Sequence, residues 1–157
     1  MNDLTADAVI DMLALAPHPE GGWFNETFCD SATSEGRSRS TAIYYLLKRG
    51  EMSAWHQVDA VEIWHYYAGA PIELRLAASP GTARRHVLGA DFASGERPQI
   101  VVPQGCWQSA RSLGDWTLVG CTVAPGFEYI GFRLAGAEET AALDAALAGR
   151  GEKRTGA

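Results

Sequence analysis

An imidazole and a carboxylate, His56 and Glu62, stand six residues apart in a stretch crowded with aromatic side chains. A histidine titrates near neutral pH, and a carboxylate beside it orients the ring and favours its protonated form, so together they make a usable acid–base pair. Alternate residues of a strand share a face. His56 and Val58 therefore point one way before the Asp59-Ala60 turn, and Glu62, Trp64 and Tyr66 share a face after it. If the two strands pair across that turn, the imidazole and the carboxylate meet. The alternative role for the couple is structural, a satisfied buried polar pair that fixes strand register. An unpaired buried carboxylate is costly, which favours a cavity rather than a dry core around Glu62. His65 and Tyr67 fall on the opposite face, where they suit a sheet-to-sheet contact between two copies of the chain.

The elements that must position these residues are mostly strands. From Gly21 to about Leu134, short runs rich in Val, Ile, Tyr, Trp, Phe and Thr are broken by Gly, Pro, Asp or Ser. The pattern predicts strands over 23–28, 41–47, 53–58, 61–67, 72–77, 84–88, 99–102, 107–111, 116–123 and 127–134. With no helices interleaved, a parallel βαβ architecture is excluded and an antiparallel barrel or jelly roll remains. A helix over 5–16 opens the chain, ended by Pro17 and Pro19, and an alanine-rich helix over 137–148 closes it with Gly149 as C-cap. One domain over 1–149 and a disordered tail over 150–157 complete the expectation, and the loop over 30–40 is the most mobile segment within it.

Composition narrows the partners. The 157 residues carry a net charge of −6, the wrong long-range field for binding a polyanion, so no nucleic acid is expected. No apolar run approaches the roughly eighteen residues of a membrane span, and residues 1–11 lack the apolar core of an export signal, which points to the cytoplasm. Cys29, Cys106 and Cys121 show no CxxC spacing and read as free thiols.

His56, one residue, Val58, three residues, Glu62, six residues and Gly69 match the tail of the first cupin motif, and Pro103, Gly105 and Gln108 fall on the second. In order along nearly the whole chain, residues 18–24, 43–47, 62–69, 102–107 and 119–127 resemble the Cupin_5 branch of the cupin superfamily. The resemblance implies an all-β, RmlC-like jelly-roll barrel, often a homodimer, around a small-molecule pocket. Metal-binding cupins ligate through two histidines and a glutamate of the first motif and a histidine of the second. The matching positions here are His56, Val58, Glu62 and Gln108. Valine cannot ligate and an amide oxygen is a poor substitute for imidazole, so no cofactor is expected; a weakly held divalent metal would fall to His56, Glu62 and Gln108. The metal-free keto-sugar epimerases of the superfamily pair a histidine with a carboxylate and a tyrosine acid. That analogy offers Tyr44, Tyr66 or Tyr129 as the phenol.

The expected site therefore has His56 and Glu62 as proton-transfer groups, with Trp64, Tyr66, Gln108 and Tyr44 touching the ligand. Binding of a small polar metabolite, a sugar or nucleotide derivative, ranks first. A metal-free epimerase or isomerase follows, and a metal enzyme with a degenerate site comes third. Residues 18–22 read as a helix-to-strand corner, with a lid over the barrel mouth and Glu26 as a second carboxylate as the alternative.

Overall fold

A computed structural model describes residues 4–31 and 33–149; the expected tail over 150–157 lies outside the described residues. Helix α1 (Ala6–Met12) is capped by the Thr5 hydroxyl, which accepts the Ala8 amide at 3.2 Å. It ends earlier than expected. Ala14 adopts a φ of 51° and the Leu15 amide bonds back to the Ile10 carbonyl, which turns Leu15 into the core and frees Ala16 and Pro17 to pair as a strand.

The strands follow as β1 (Ala16–Pro17), β2 (Trp23–Cys29), β3 (Thr41–Lys48), β4 (Met52–Val58), β5 (Val61–Gly69) and β6 (Ile72–Ala77). Then come β7 (Arg84–Leu88), β8 (Gln99–Val102), β9 (Trp107–Ser112), β10 (Trp116–Ala124), β11 (Phe132–Leu134) and the closing helix α2 (Ala137–Ala148). They build two antiparallel sheets, ordered β1-β2-β3-β10-β5-β8 and β11-β4-β9-β6-β7. From β3 onward the chain changes sheet at every connection but one, the alternation of a jelly roll. The all-β class and the two flanking helices agree with the sequence expectation.

Two expectations are corrected. β4 and β5 do not form a hairpin: β4 pairs with β9 and β11, β5 with β10 and β8, and the Asp59-Ala60 corner carries the chain from one sheet to the other. The strand expected over 127–134 is interrupted by a 3₁₀ turn (Tyr129–Gly131), and only its last three residues pair. The chain wraps the Asp59 corner there. The Gly131 carbonyl accepts the Asp59 amide at 3.1 Å, and a Cβ on Gly131 would lie 2.2 Å from the Asp59 carboxylate.

One end of the interior is packed. Leu47, Ile72, Leu74, Leu88 and Val119 are fully buried around Trp64 and Tyr45, each worth about 1.5–3 kcal/mol of hydrophobic stabilisation. Helix α2 covers the outer face of the five-stranded sheet, with Leu143 and Leu147 against Trp55, Ala77, Ala83 and Trp107. No helix among the described residues is long and apolar enough to cross a membrane.

Candidate functional site

The other end of the interior is hollow. A cavity of about 260 Å³ lies between the sheets, walled by Thr41, Ile43, Val58, Cys121 and Val123 and by two imidazoles and two carboxyl groups, His18, His56, Glu20 and Glu62. At its mouth stand Glu26, Phe127, Tyr129 and Phe132.

A β-bulge places His56. Ser53 faces Ala110 of β9 and His56 faces Gln108, so β4 spends three residues where β9 spends two. The extra residue brings both Ser53 and His56 to the inner side and leaves backbone groups free to hold the site. The Ala54 amide donates to the Glu20 carbonyl at 2.9 Å, and the Ala54 carbonyl pairs with His56 Nδ1 at 2.7 Å. A carbonyl only accepts, so Nδ1 carries a proton and Nε2 faces the Glu20 carboxylate, 3.1 Å away.

Glu20 enters through the corner between β1 and β2. Gly21 and Gly22 take φ of 104° and 76°, and a Cβ on either would collide with the Met52 carbonyl or with Leu47, the Leu46 carbonyl and Tyr45. Only paired glycines let this corner press so close to β3 and β4. The Glu20 carboxylate accepts the Ser53 hydroxyl at 3.0 Å, and His18 Nδ1 accepts the Glu20 amide at 3.1 Å. Residues 18–22 are thus a corner, as expected, and also supply two groups of the cavity that the sequence reading did not assign to the site.

Glu62 comes from the other wall. Its row on the six-stranded sheet runs Thr41, Val123, Glu62 across β3, β10 and β5. Gln108 of β9 reaches across from the facing sheet: its Nε2 donates to Glu62 Oε2 at 2.7 Å and its Oε1 accepts the Trp64 indole N–H at 2.8 Å. The indole can only donate, so it fixes which end of the amide meets Glu62. The direct His56–Glu62 couple expected from the sequence is replaced by two couples, His56 with Glu20 and Glu62 with Gln108.

Burial drives these groups toward neutrality. Loss of solvent raises Glu62 to about 7, against the opposing pull of His56, and raises Glu20, which His18 opposes. The same loss lowers His56 and His18. Burial also pushes the Tyr45 phenol and the Cys121 thiol, both pressed against this cluster, well up.

The remaining expected ligand contacts are placed elsewhere. Trp64 and Gln108 lie behind Glu62, not on the cavity wall. Tyr66 shares the inner face but sits beyond Trp64, its hydroxyl donating to the Gly69 carbonyl at 2.6 Å. Tyr44 is on the outer face, packed near α1 and edge-on to Tyr67, because Tyr45 takes the inner position of β3. Of the three tyrosines weighed as an acid, Tyr129 alone lines the cavity.

The cupin metal quartet does not fit these residues. Val58 brings no donor atom, and both ends of the Gln108 amide are committed to Trp64 and Glu62. Among the described residues no group of three or more His, Cys, Asp or Glu side chains is arranged to hold a metal ion.

Similarity to known proteins agrees with this architecture. Residues 7–135 match the Cupin_5 family, described as Cupin superfamily (DUF985). Protein SO0799 from Shewanella oneidensis has 37% identity and a TM-score of 0.81, over 86% of this chain and 87% of that one. A hypothetical protein from Leishmania major has 30% identity and a TM-score of 0.78, over 87% and 90%. The uncharacterized protein YML079W of Saccharomyces cerevisiae is 27% identical over 135 residues, covering 73% of this chain and 67% of that protein. With the family matched over most of its length and the two-sheet barrel built as that family's fold requires, the chain belongs to the Cupin_5 branch of the cupin superfamily.

Proposed function

We propose that the cavity binds a small polar metabolite and moves a proton on it without a metal, the chemistry of an isomerase or epimerase. One observation carries the reading: two proton-transfer centres face a single cavity from opposite sheets, His56 with Glu20 on one side and Glu62 on the other. Such centres address opposite faces of a bound carbon acid, as inversion of a stereocentre requires. A carboxyl raised to about 7 is half ionised near neutral pH, where a group that both takes and returns protons is most effective. Ionised Glu62 removes a proton from the substrate carbon, and the His56–Glu20 couple, which shares a proton, delivers one to the other face.

Size limits the substrate. A volume of about 260 Å³ is the space of roughly nine waters, enough for a compound of monosaccharide size or less inside the barrel. No lysine or arginine lines the cavity among the described residues, so a phosphate group finds no cation within it.

Solvent exchange tests the reading. Small hydroxy- and amino-carbonyl compounds incubated with the protein in deuterium oxide should gain deuterium at the carbon next to the carbonyl, and His56→Ala or Glu62→Ala should slow this by about 100-fold or more. Absence of exchange across the panel rejects proton transfer. Binding without turnover is the second reading, favoured by the aromatic mouth of Phe127, Tyr129 and Phe132, which offers contact area but no reactive group beyond the Tyr129 phenol. Ligand retained by native mass spectrometry, with no exchange, would select it.

A further inference from the structure

We infer that the ligand of this cavity is a small organic cation, a compound bearing an ammonium group. The inference rests on the cavity being a ligand site, as proposed above, and adds the charge of what it takes.

The lining is aromatic and acidic and lacks fixed positive charge. Phe127, Tyr129 and Phe132 stand at the mouth with ring centroids 5.1, 5.9 and 6.2 Å apart and planes at 84°, 68° and 79° to one another. A cation is held over aromatic faces by their quadrupoles, most strongly where water is excluded. Set nearly perpendicular, the three rings meet edge to face rather than as a flat stack. Beside them Glu26 lines the opening, exposed to solvent.

Deeper in, Glu20 and Glu62 are buried with imidazole, hydroxyl, amide and thiol partners and no lysine or arginine among the described residues. Elsewhere the same protein handles a buried carboxylate differently: Glu73 has three arginines within 4 Å. The cavity lacks that counter-charge. An ammonium ligand supplies it, whereas an anionic one meets Glu20, Glu26 and Glu62 with two imidazoles and no lysine or arginine of the described residues in the lining.

Calorimetric titration with choline and with its uncharged carbon isostere, 3,3-dimethylbutan-1-ol, separates charge from shape. Choline should bind at least about tenfold more tightly, the advantage expected of cation–π contacts in a partly desolvated site. That advantage should shrink several-fold in Glu26→Gln and in Tyr129→Leu, both exposed positions whose melting temperatures should stay near that of the unaltered protein. Equal or tighter binding of the isostere, no binding of choline, or an advantage that persists undiminished in both variants would overturn the inference. None of these outcomes bears on deuterium exchange, so loss of the cation reading and loss of the proton-transfer reading remain separate results.

Discussion

The five-stranded sheet carries a buried charged cluster on each face, and the two are built on opposite rules. On the outer face Glu73 receives the Arg111 Nε at 3.1 Å, with Arg75 at 3.9 Å and Arg85 at 3.7 Å. Arg75 also donates to the Ser109 hydroxyl at 2.7 Å and lies over the Trp55 ring. On the inner face, one residue along β9 from Ser109, Gln108 meets Glu62, and His56 meets Glu20, with no arginine or lysine among the described residues lining the cavity. The outer cluster closes on itself under α2. The inner one surrounds empty space, and its carboxylates are raised where a structural ion pair would have lowered them. Compensated charge marks architecture; carboxyls held without a cation around a cavity are the arrangement on which the proposed site rests.

The largest effect that sharpens this contrast is on stability alone. Glu73→Ala leaves the buried Arg75 with Asp144, 3.8 Å away, as its remaining counter-ion, and breaking a buried pair costs about 3 kcal/mol or more. Denaturant unfolding should register that loss, while ligand binding and deuterium exchange by the folded fraction stay unchanged. A variant that keeps its stability but loses exchange would dissolve the distinction between the two faces.

The sequence made the outer framework far more legible than the inner site. Strands β6, β7 and β8 have the expected bounds because Gly, Pro or Asp breaks flank them on both sides. The expected ligand contact of Tyr44 fails because β3 is apolar on both faces: α1 covers its outer side, so Thr41 to Lys48 shows no alternation from which to read inward and outward. Glu20 was missed for a different reason. The paired glycines after it were a signal of close backbone approach, and the structure spends that closeness on inserting a carboxylate beside His56. The bulge in β4 leaves no clear mark in residues 53–56, so the partners of His56 could not be deduced from strand parity.

The second effect is a pH dependence. Glu62 rises from 4.5 to about 7 on folding, so the folded state holds a proton that the unfolded chain has released between those values. Stability from this group is therefore full below pH 4.5, falls as pH climbs toward 7 and is level above it. Glu62→Gln keeps an acceptor for the Gln108 amide and removes the ionisation. The stability of the variant relative to the unaltered protein should grow by about 3 kcal/mol between pH 4 and pH 8. His18 and His56 have the opposite trend, their lowered values favouring folding as pH rises to 6.5, and comparison with the variant removes the part of that trend that does not depend on the Glu62 charge. A difference that stays flat across this range would mean Glu62 is solvated as an ordinary surface carboxylate.

The smallest effect tests whether the packed end of the barrel tunes the hollow end. Trp64 touches no cavity surface, yet its indole N–H holds the Gln108 oxygen and thereby turns the amide's NH₂ toward Glu62. Trp64→Phe keeps most of the apolar volume, removes one buried donor, and should cost about 1–3 kcal/mol. The freed amide can then rotate to offer its oxygen to Glu62, which favours the protonated carboxyl. The pH at which Glu62 titrates, followed by deuterium exchange or by carboxyl-carbon NMR, should consequently move upward. An unshifted profile in a folded Trp64→Phe protein would show that Gln108 is held by the barrel itself, and that the indole contributes packing without orientation.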